Sequence, residues 1–400
     1  MKRVAKLIMV TGDNNNKFYD MVENDDDSIT ATWGRVDVTQ TVTHYPVGKK
    51  KWETLLNSKV KKGYKDVTHL RAEKTESNTL IEIPDSAVRK LVMTLMRYAN
   101  KAIEANYTIS SDVVTEAQIT EAQMLLDSLV ALPRTPSKLD VLNNTLLEIY
   151  TTLPRKMKKV QHHLFSEGFS DDDVLKKINA EQDLLDVMAG QVKTGQISKD
   201  VKNSNTDILK ASGLLVAPVT QKDIEYIKSK LGPDADRLRT VFQVVNNRTQ
   251  DKFDSFVSKA SNPHAKHFWH GSRNENWWSI MGSGLVLRPT NAVITGKMFG
   301  YGLYFADKAR KSLGYTSLRG SYWARGNATT GYMALYKVHL GDFLKIRNHQ
   351  SWCSSLTHES LRRRGAYDSL FAEGGADLRN NEYIVYQSDQ CTIRYIVELS

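Results

Sequence analysis

The amino-acid sequence predicts a multidomain α+β protein. A small β-sheet with one helix is expected over residues 1–78, an all-α segment over 79–205 and a mixed α+β domain over 206–400. Three patterns carry this reading. Alternating β-branched and aromatic runs fill the first part and return in the last. Between them, apolar residues recur at steps of three and four. Proline and glycine punctuate the changeovers. Four hundred residues suit two or three domains of ordinary size, each able to close its own core.

In chain order, MKRVAKLIMV reads as a first strand rather than a targeting segment, because its apolar stretch is short and no small-residue cleavage site follows. KFYDMVEN is a second strand, Asp25–Asp27 make a solvated turn, and SITATWGRVDVTQTVTHY continues the alternation. GKKKWETLLNSKVKKGYK (48–65) carries seven lysines against one acid. Trp52, Leu55 and Leu56 fall at helical spacing on one side, which predicts a basic amphipathic helix with its lysines outward. A Lys-rich turn and VTHL follow. IPDSAVRKLVMTLMRYANKAIEA opens a helix at Pro84 and Asp85. TEAQITEAQMLLDSLVAL, SKLDVLNNTLLEIYTTL and DDDVLKKINAEQDLLDVMAGQV repeat the helical pattern, so their Leu and Met stripes are the core of a bundle. VKTGQISKDVKNSN (192–205) reads as a polar linker. Beyond it, LRTVFQVVNN, YGLYFAD, GYMALYKVHLGDFLKI, NEYIVYQ and CTIRYIVEL are strands separated by Gly-rich turns and short helices such as NENWWSIMGSG.

Several function classes drop out at this level. There is no strand–GxGxxG–helix unit and no GxxxxGK[ST], which argues against a Rossmann dehydrogenase or a P-loop NTPase. GKMFGYGLYF (296–305) lacks the third glycine and runs into a strand. No run of eighteen apolar residues is present, so no membrane span is expected. Cys353 and Cys391 are too few for a disulfide framework and have no metal-ligand spacing; a reducing interior compartment and no bound metal are expected. The net charge of +10, concentrated in the lysines of 48–65, suits a polyanionic partner.

Three blocks of the last domain combine polar side chains with tight glycines. FWHGSRNENW sets His270 directly before Gly271 and Ser272, where a backbone without a side chain can approach a ligand closely. TGKMFGYGLYFADKARKSLGYTS places Tyr304 on a strand, then Ser312 and Tyr315 just after it. NNEYIVYQ puts an acid, Glu382, at the head of a strand built from Tyr, Ile and Val.

In this order, HFWHGS, TGKMFGYGLYFAD with KSLGY, and NEYIVY resemble the catalytic domain of the poly(ADP-ribose) polymerases. TATWGRVDV, with Trp33-Gly34-Arg35, is similar to that family's WGR domain. VTEAQITEAQMLLDSL and the helix containing EQDLLDVM are similar to its regulatory helical domain. The resemblance covers essentially the whole chain. It implies a WGR nucleic-acid-binding domain over 1–78, a helical autoinhibitory domain over 79–205 and an ADP-ribosyltransferase domain with a two-sheet β core over 206–400.

The resemblance also implies roles. His270 bonds the adenosine ribose of NAD+, the Gly271 backbone and Ser312 hold the nicotinamide carboxamide, and Tyr315 and Tyr304 wall the nicotinamide ring. Glu382 is the catalytic residue, with Lys311 beside it. Ser272 and Asn276 bear on the ribose and the pocket edge, and Met298 lies at the acceptor pocket. Where the family carries an arginine on the adenine side, this chain has Val286, and Arg288 is the candidate to replace it. Asn380 stands where a tyrosine associated with branching often occurs.

The expected activity is NAD+-dependent poly-ADP-ribosylation of acceptor proteins, including automodification, with NAD+ as substrate. Activation would come from DNA strand breaks, as 5′-phosphorylated ends or nicks, bound through Trp33, Arg35, Lys49, Lys50 and Lys51. The helical domain would cover the NAD+ pocket until DNA binds, and an accessory protein would contribute to the acceptor site. Nuclear residence is expected in a eukaryotic host and cytoplasmic residence otherwise. A mono-ADP-ribosyltransferase of the same fold is one alternative, although Glu382 argues against it; a catalytically silent nucleic-acid adaptor is another.

Overall fold

The computed structural model describes residues 3–38, 40–68, 83–109, 111–202, 207–287 and 298–400, the side chains of residues 112 and 198–202 apart. The chain divides into two compact units: residues 1–77 with 101–192, and residues 78–100 with 193–400.

The first unit opens with β1 (Val4–Thr11), β2 (Asn15–Glu23), β3 (Ile29–Arg35), β4 (Gln40–Tyr45), α1 (Trp52–Val60) and β5 (Lys65–Asp66). The strands form one antiparallel sheet in the order β4-β3-β2-β1-β5. Period-two alternation puts Leu7, Tyr19, Met21 and Ala31 on one face, where they meet Trp52 and Leu55 of α1. The helix is shorter than the basic run that predicts it, because residues 61–63 turn away after Val60. Its lysines are also not uniformly outward. Lys59 lays its ammonium 3.7 Å from the centre of the Tyr19 ring, and burial lowers its pKa. A long aliphatic stem can cover an aromatic face while keeping its charge near water.

Four longer helices follow: α2 (Ser86–Asn106), α3 (Glu116–Ala131), α4 (Leu139–Thr152) and α5 (Asp171–Lys202). Asp85 caps α2, accepting from the Ala87 and Val88 N–H groups at 2.9 Å each. Thr115 and Gln118 close a capping box on α3. Residues 192–202, expected as a linker, are helical instead and complete α5; residues 203–205 lie outside the described residues. The stretch is polar in composition, but Thr194 and Ile197 lie three apart on one face. Thr194 Oγ1 accepts from Trp278 Nε1 at 2.6 Å, and Ile197 packs on the apolar core of the second unit.

Within the first unit, Arg155 and Glu181 form a buried ion pair. The Arg155 guanidinium lies 4.3 Å from the Tyr107 ring centre, and the Tyr150 hydroxyl donates to Glu181 Oε1 at 3.2 Å. The Arg155 carbonyl accepts from Asn16 Nδ2 at 3.2 Å, which ties this segment to β2.

The second unit continues with α6 (Ile208–Ala211), β6 (Leu214–Pro218), α7 (Gln221–Leu231), β7 (Leu238–Asn246), α8 (Asn247–Ser258), β8 (Ala265–Gly271), α9 (Trp277–Ser283), β9 (Leu303–Phe305), α10 (Ala309–Leu313), β10 (Gly331–His339), β11 (Phe343–Ile346), α11 (His358–Gly365), β12 (Ser369–Ala372), β13 (Glu382–Val385) and β14 (Cys391–Leu399). They make a mixed α+β domain with two sheets, β6-β7-β14-β10-β8 and β11-β12-β13-β9. Only β11 and β12 pair in parallel among the described strands, and α11 lies in the connection between them. Among the described residues, one isolated bridge joins the sheets: Trp269 N–H donates to the Ala306 carbonyl at 2.8 Å, and Ala306 N–H returns to the Trp269 carbonyl at 2.9 Å. That bridge positions the site described below.

His267, on β8, sits in the second unit with Nδ1 2.6 Å from the Tyr226 hydroxyl. Burial first, then Arg394, Lys230 and Lys337, push its pKa from 6.5 down to about 4. Between those values the unfolded chain binds a proton that the folded chain refuses. Stability from this residue is therefore complete above pH about 6.5 and is lost as the pH falls toward about 4. Melting temperature plotted against pH should slope across that window, and His267→Gln should flatten the slope.

Candidate active site

The site grows from the bridge between the sheets. With Trp269 paired to Ala306, the next residue, His270, lies beside β9, and its Nδ1 is 3.0 Å from the Tyr304 carbonyl. A carbonyl only accepts, so Nδ1 carries a proton and donates. Gly271 follows at a place where a side chain cannot stand. A Cβ there would fall 2.0 Å from the Ser312 carbonyl oxygen. The glycine is thus what allows β8 and the end of α10 to close on each other. Asn276 Nδ2 donates to Ser272 Oγ at 3.0 Å, while Asn276 Oδ1 is buried without a partner among the described residues.

Tyr304 is held at its far end. Its hydroxyl donates to the Gly300 carbonyl at 2.9 Å and accepts from Phe299 N–H at 3.1 Å. Gly300 adopts φ +73°, and a Cβ on it would meet the Leu356 carbonyl at 2.3 Å, so this turn requires glycine. Burial raises the Tyr304 pKa well above its ordinary value, and the nearby Glu382 and Tyr315 add to the rise. Burial and Glu382 likewise push Tyr315 up to about 12. Both hydroxyls therefore stay protonated at neutral pH, and the two rings share their surroundings with one carboxylate.

That carboxylate opens β13. Glu382 is 7% exposed and forms an ion pair with Lys311 of α10. The solvated edge that a lone acid on a strand would suggest is not where it lies. Its neighbours fix the strand's start. Asn381 Nδ2 donates to Asp307 Oδ2 at 2.7 Å, Asn381 Oδ1 accepts from Gly374 N–H at 2.9 Å, and Tyr383 Oη donates to Asp307 Oδ2 at 3.3 Å. Sequence reasoning passed over Asn381 and Asp307. The signal was their position inside motifs already singled out, Asn381 in NEYIVY and Asp307 in GLYFAD.

The structure thus brings His270, Gly271, Tyr304, Lys311, Ser312, Tyr315 and Glu382 together, with Ser272 and Asn276 joined at the edge. These residues fit a nicotinamide nucleotide. They offer two aromatic rings, a glycine backbone against a serine, an imidazole, an orphaned amide oxygen and an acid. Met298 packs in the adjoining cluster with Phe299 and Tyr386, its carbonyl accepting from His349 Nε2 at 2.8 Å. Arg288 lies outside the described residues; Val286 is described and exposed. Among the described residues, no group of three His, Cys, Asp or Glu side chains is placed to hold a metal ion. No described helix is long and apolar enough to cross a membrane.

The candidate nucleic-acid residues belong to the first unit. Trp33 is 39% exposed on β3, its Nε1 donating to Thr43 Oγ1 at 3.0 Å. Lys49, Lys50 and Lys51 are exposed just before α1. Arg35 is engaged inside the unit. Nη1 donates to the Asn14 carbonyl at 2.7 Å, and Nη2 to Asn14 Oδ1 at 3.0 Å and the Lys158 carbonyl at 3.1 Å.

Comparison with known proteins follows the same lines. Residues 221–400 match the model of the poly(ADP-ribose) polymerase catalytic domain. The chain is 34% identical over 230 residues to the uncharacterized protein 101L of Invertebrate iridescent virus 6, covering 58% of this chain and 94% of that protein. It is 31% identical over 182 residues to poly [ADP-ribose] polymerase 2 of Zea mays, covering 40% of this chain and 26% of the maize protein. Similarity to poly [ADP-ribose] polymerase 2-A of Oryza sativa subsp. japonica extends over 97% of this chain and 68% of that protein, at 22% identity.

Proposed function

Because the chain belongs to the poly(ADP-ribose) polymerase family, with an NAD+ ADP-ribosyltransferase domain over residues 221–400, we propose that it elongates ADP-ribose chains on proteins, itself included, in response to DNA strand breaks. One observation carries the elongation claim. The Glu382 carboxylate is buried at the head of a strand, paired to Lys311 and electrostatically close to both Tyr304 and Tyr315.

Its chemistry follows. Breaking the bond between nicotinamide and ribose builds positive charge on the ribose carbon. A fixed carboxylate beside that carbon stabilises the charge without reorganising at the moment of reaction. The same carboxylate can accept a hydrogen bond from an acceptor hydroxyl and so raise its nucleophilicity, which is what adding one sugar to another requires. Tyr304 and Tyr315 hold the departing ring, and Gly271 with Ser312 present backbone to its carboxamide, so orientation is set before reaction. NAD+ is consumed as substrate. Asn276 Oδ1 offers an acceptor suited to a ribose hydroxyl.

DNA sensing is the second half of the proposal. Exposed Trp33 and the lysines at 49–51 suit a DNA end, through contacts to phosphate and terminal sugar that position without reading sequence. Arg35, two residues from Trp33 on β3, is held by the Asn14 and Lys158 carbonyls. Acceptor proteins, an accessory protein at the acceptor site, and nuclear residence in a eukaryotic host (cytoplasmic otherwise) complete the reading. The test is transfer of labelled ADP-ribose with and without nicked, 5′-phosphorylated DNA, resolved on a gel. A ladder that strengthens with DNA is expected. A single band would assign a mono-ADP-ribosyltransferase, and a ladder indifferent to DNA would remove the sensing claim.

A further inference from the structure

The loop after α10 carries two large aromatics that the assigned site does not use. Tyr322 is 76% exposed and Trp323 is 62% exposed. Exposed aromatics of this size commonly sit on pliable loops, but this loop is tied down at several points. Trp323 N–H and Ala324 N–H both donate to the Gly314 carbonyl, at 2.9 and 3.0 Å. Gly326 N–H donates to Ser321 Oγ at 2.7 Å, and Arg319 and Ala328 N–H groups close the base of the loop on Ala328 and Ser317 carbonyls at 2.8 and 2.9 Å.

Those ties place the indole. Its ring lies nearly parallel to Tyr315, at 18°, with centroids 6.1 Å apart, in an offset stack. Tyr322 also meets the indole, edge-on at 4.8 Å and 88°. Gly314 makes room for this: a Cβ there would lie 3.1 Å from Trp323 Cδ1. The residue before Tyr315 is thus one that lets an indole lie alongside the tyrosine. Tyr315 has no strand to hold it, unlike Tyr304, whose hydroxyl is bonded to the 299–300 backbone. The stack supplies the missing restraint.

We infer that Trp323 is a positioning residue for NAD+ binding: through its stack on Tyr315 it holds that ring as one wall of the nicotinamide pocket. The inference rests on reading Tyr315 as that wall. Trp323 acts through Tyr315 and not on the reacting atoms, so its loss weakens ground-state binding and leaves the chemical step alone.

The experiment compares Trp323→Ala, Trp323→Phe, Tyr315→Ala and the double variant Tyr315→Ala/Trp323→Ala in the full chain. It measures NAD+ KM, kcat and the dissociation constant of benzamide. Trp323→Ala is expected to raise KM and the benzamide constant together by about three- to ten-fold, with kcat within about two-fold. Trp323→Phe is expected to restore most of the loss, and the double variant to be no worse than Tyr315→Ala alone. Independent, additive losses would mean that Trp323 contacts substrate itself, which overturns the inference. Loss with Tyr315→Ala but none with Trp323→Ala overturns it while leaving the pocket assignment intact. Benzamide binding unaffected by Tyr315→Ala overturns both. Melting temperatures of all variants distinguish these results from unfolding.

Discussion

On the proposed function, Glu382→Gln is expected to leave a folded, ligand-binding protein that does not extend ADP-ribose chains, with transfer reduced about 10²- to 10³-fold, the loss typical of removing one preorganised group facing transition-state charge. Glutamine keeps the shape at the head of β13 and the Ala372 pairing opposite it. It removes the charge that a developing cation requires. A second effect accompanies the first. Lys311 is largely enclosed and loses its anion, which leaves a charge whose desolvation is no longer offset. Pairing Glu382→Gln with Lys311→Met should therefore recover thermal stability without recovering elongation. Gel ladders measure the first effect and melting curves the second. Benzamide should still raise the melting temperature of the single variant, since neither tyrosine wall is altered.

The largest stability effect is expected in the first unit. Glu181→Ala strands the Arg155 guanidinium in an enclosed site lined by Tyr107, Leu126, Ile149, Leu153 and Leu185, beside a void of about 10 Å³. Breaking a buried pair from one side costs about 3–5 kcal/mol, because the remaining charge keeps its desolvation penalty and loses its compensation. Replacing both partners, as Arg155→Met with Glu181→Leu, removes both penalties and should return stability close to that of the parent. Urea unfolding of the two variants measures this. A double variant as unstable as the single one would mean that the pair contributes through its contacts to Tyr150 and Tyr107 and not through charge balance.

Local pattern made much of this legible. Alternation in the first forty-five residues corresponds to β1–β4, and Asp85 and Thr115 mark helix starts that the structure caps as expected. The helices α7 and α8 went unmarked in the sequence reading, although Thr220 and Asp223 form a capping box. Their apolar residues do recur at steps of three and four, Ile224, Ile227 and Leu231 in the one and Phe253, Phe256 and Val257 in the other, so the signal was present. Residues 192–202 look like a linker for a different reason: a polar helical end that buries Val192 and Thr194 and half-buries Ile197 leaves little periodic trace.

By itself, the sequence determined which chemical groups the site offers and in what order. HGS, GLYFAD and NEYIVY name an imidazole, an aromatic wall and an acid in an order that resembles one family, and spacing along the chain preserves that order whatever the surroundings. Tertiary structure decided which partners complete them. Glu382 is buried and paired with Lys311 because β13 lies beside β9 in one sheet and α10 closes over its end. His270 has an acceptor for its Nδ1 proton because one bridge, Trp269 to Ala306, sets two sheets in register. Tyr315 has an indole alongside because a loop returns to Gly314. Each pairing joins residues separated along the chain and depends on register and loop closure, which no local period records.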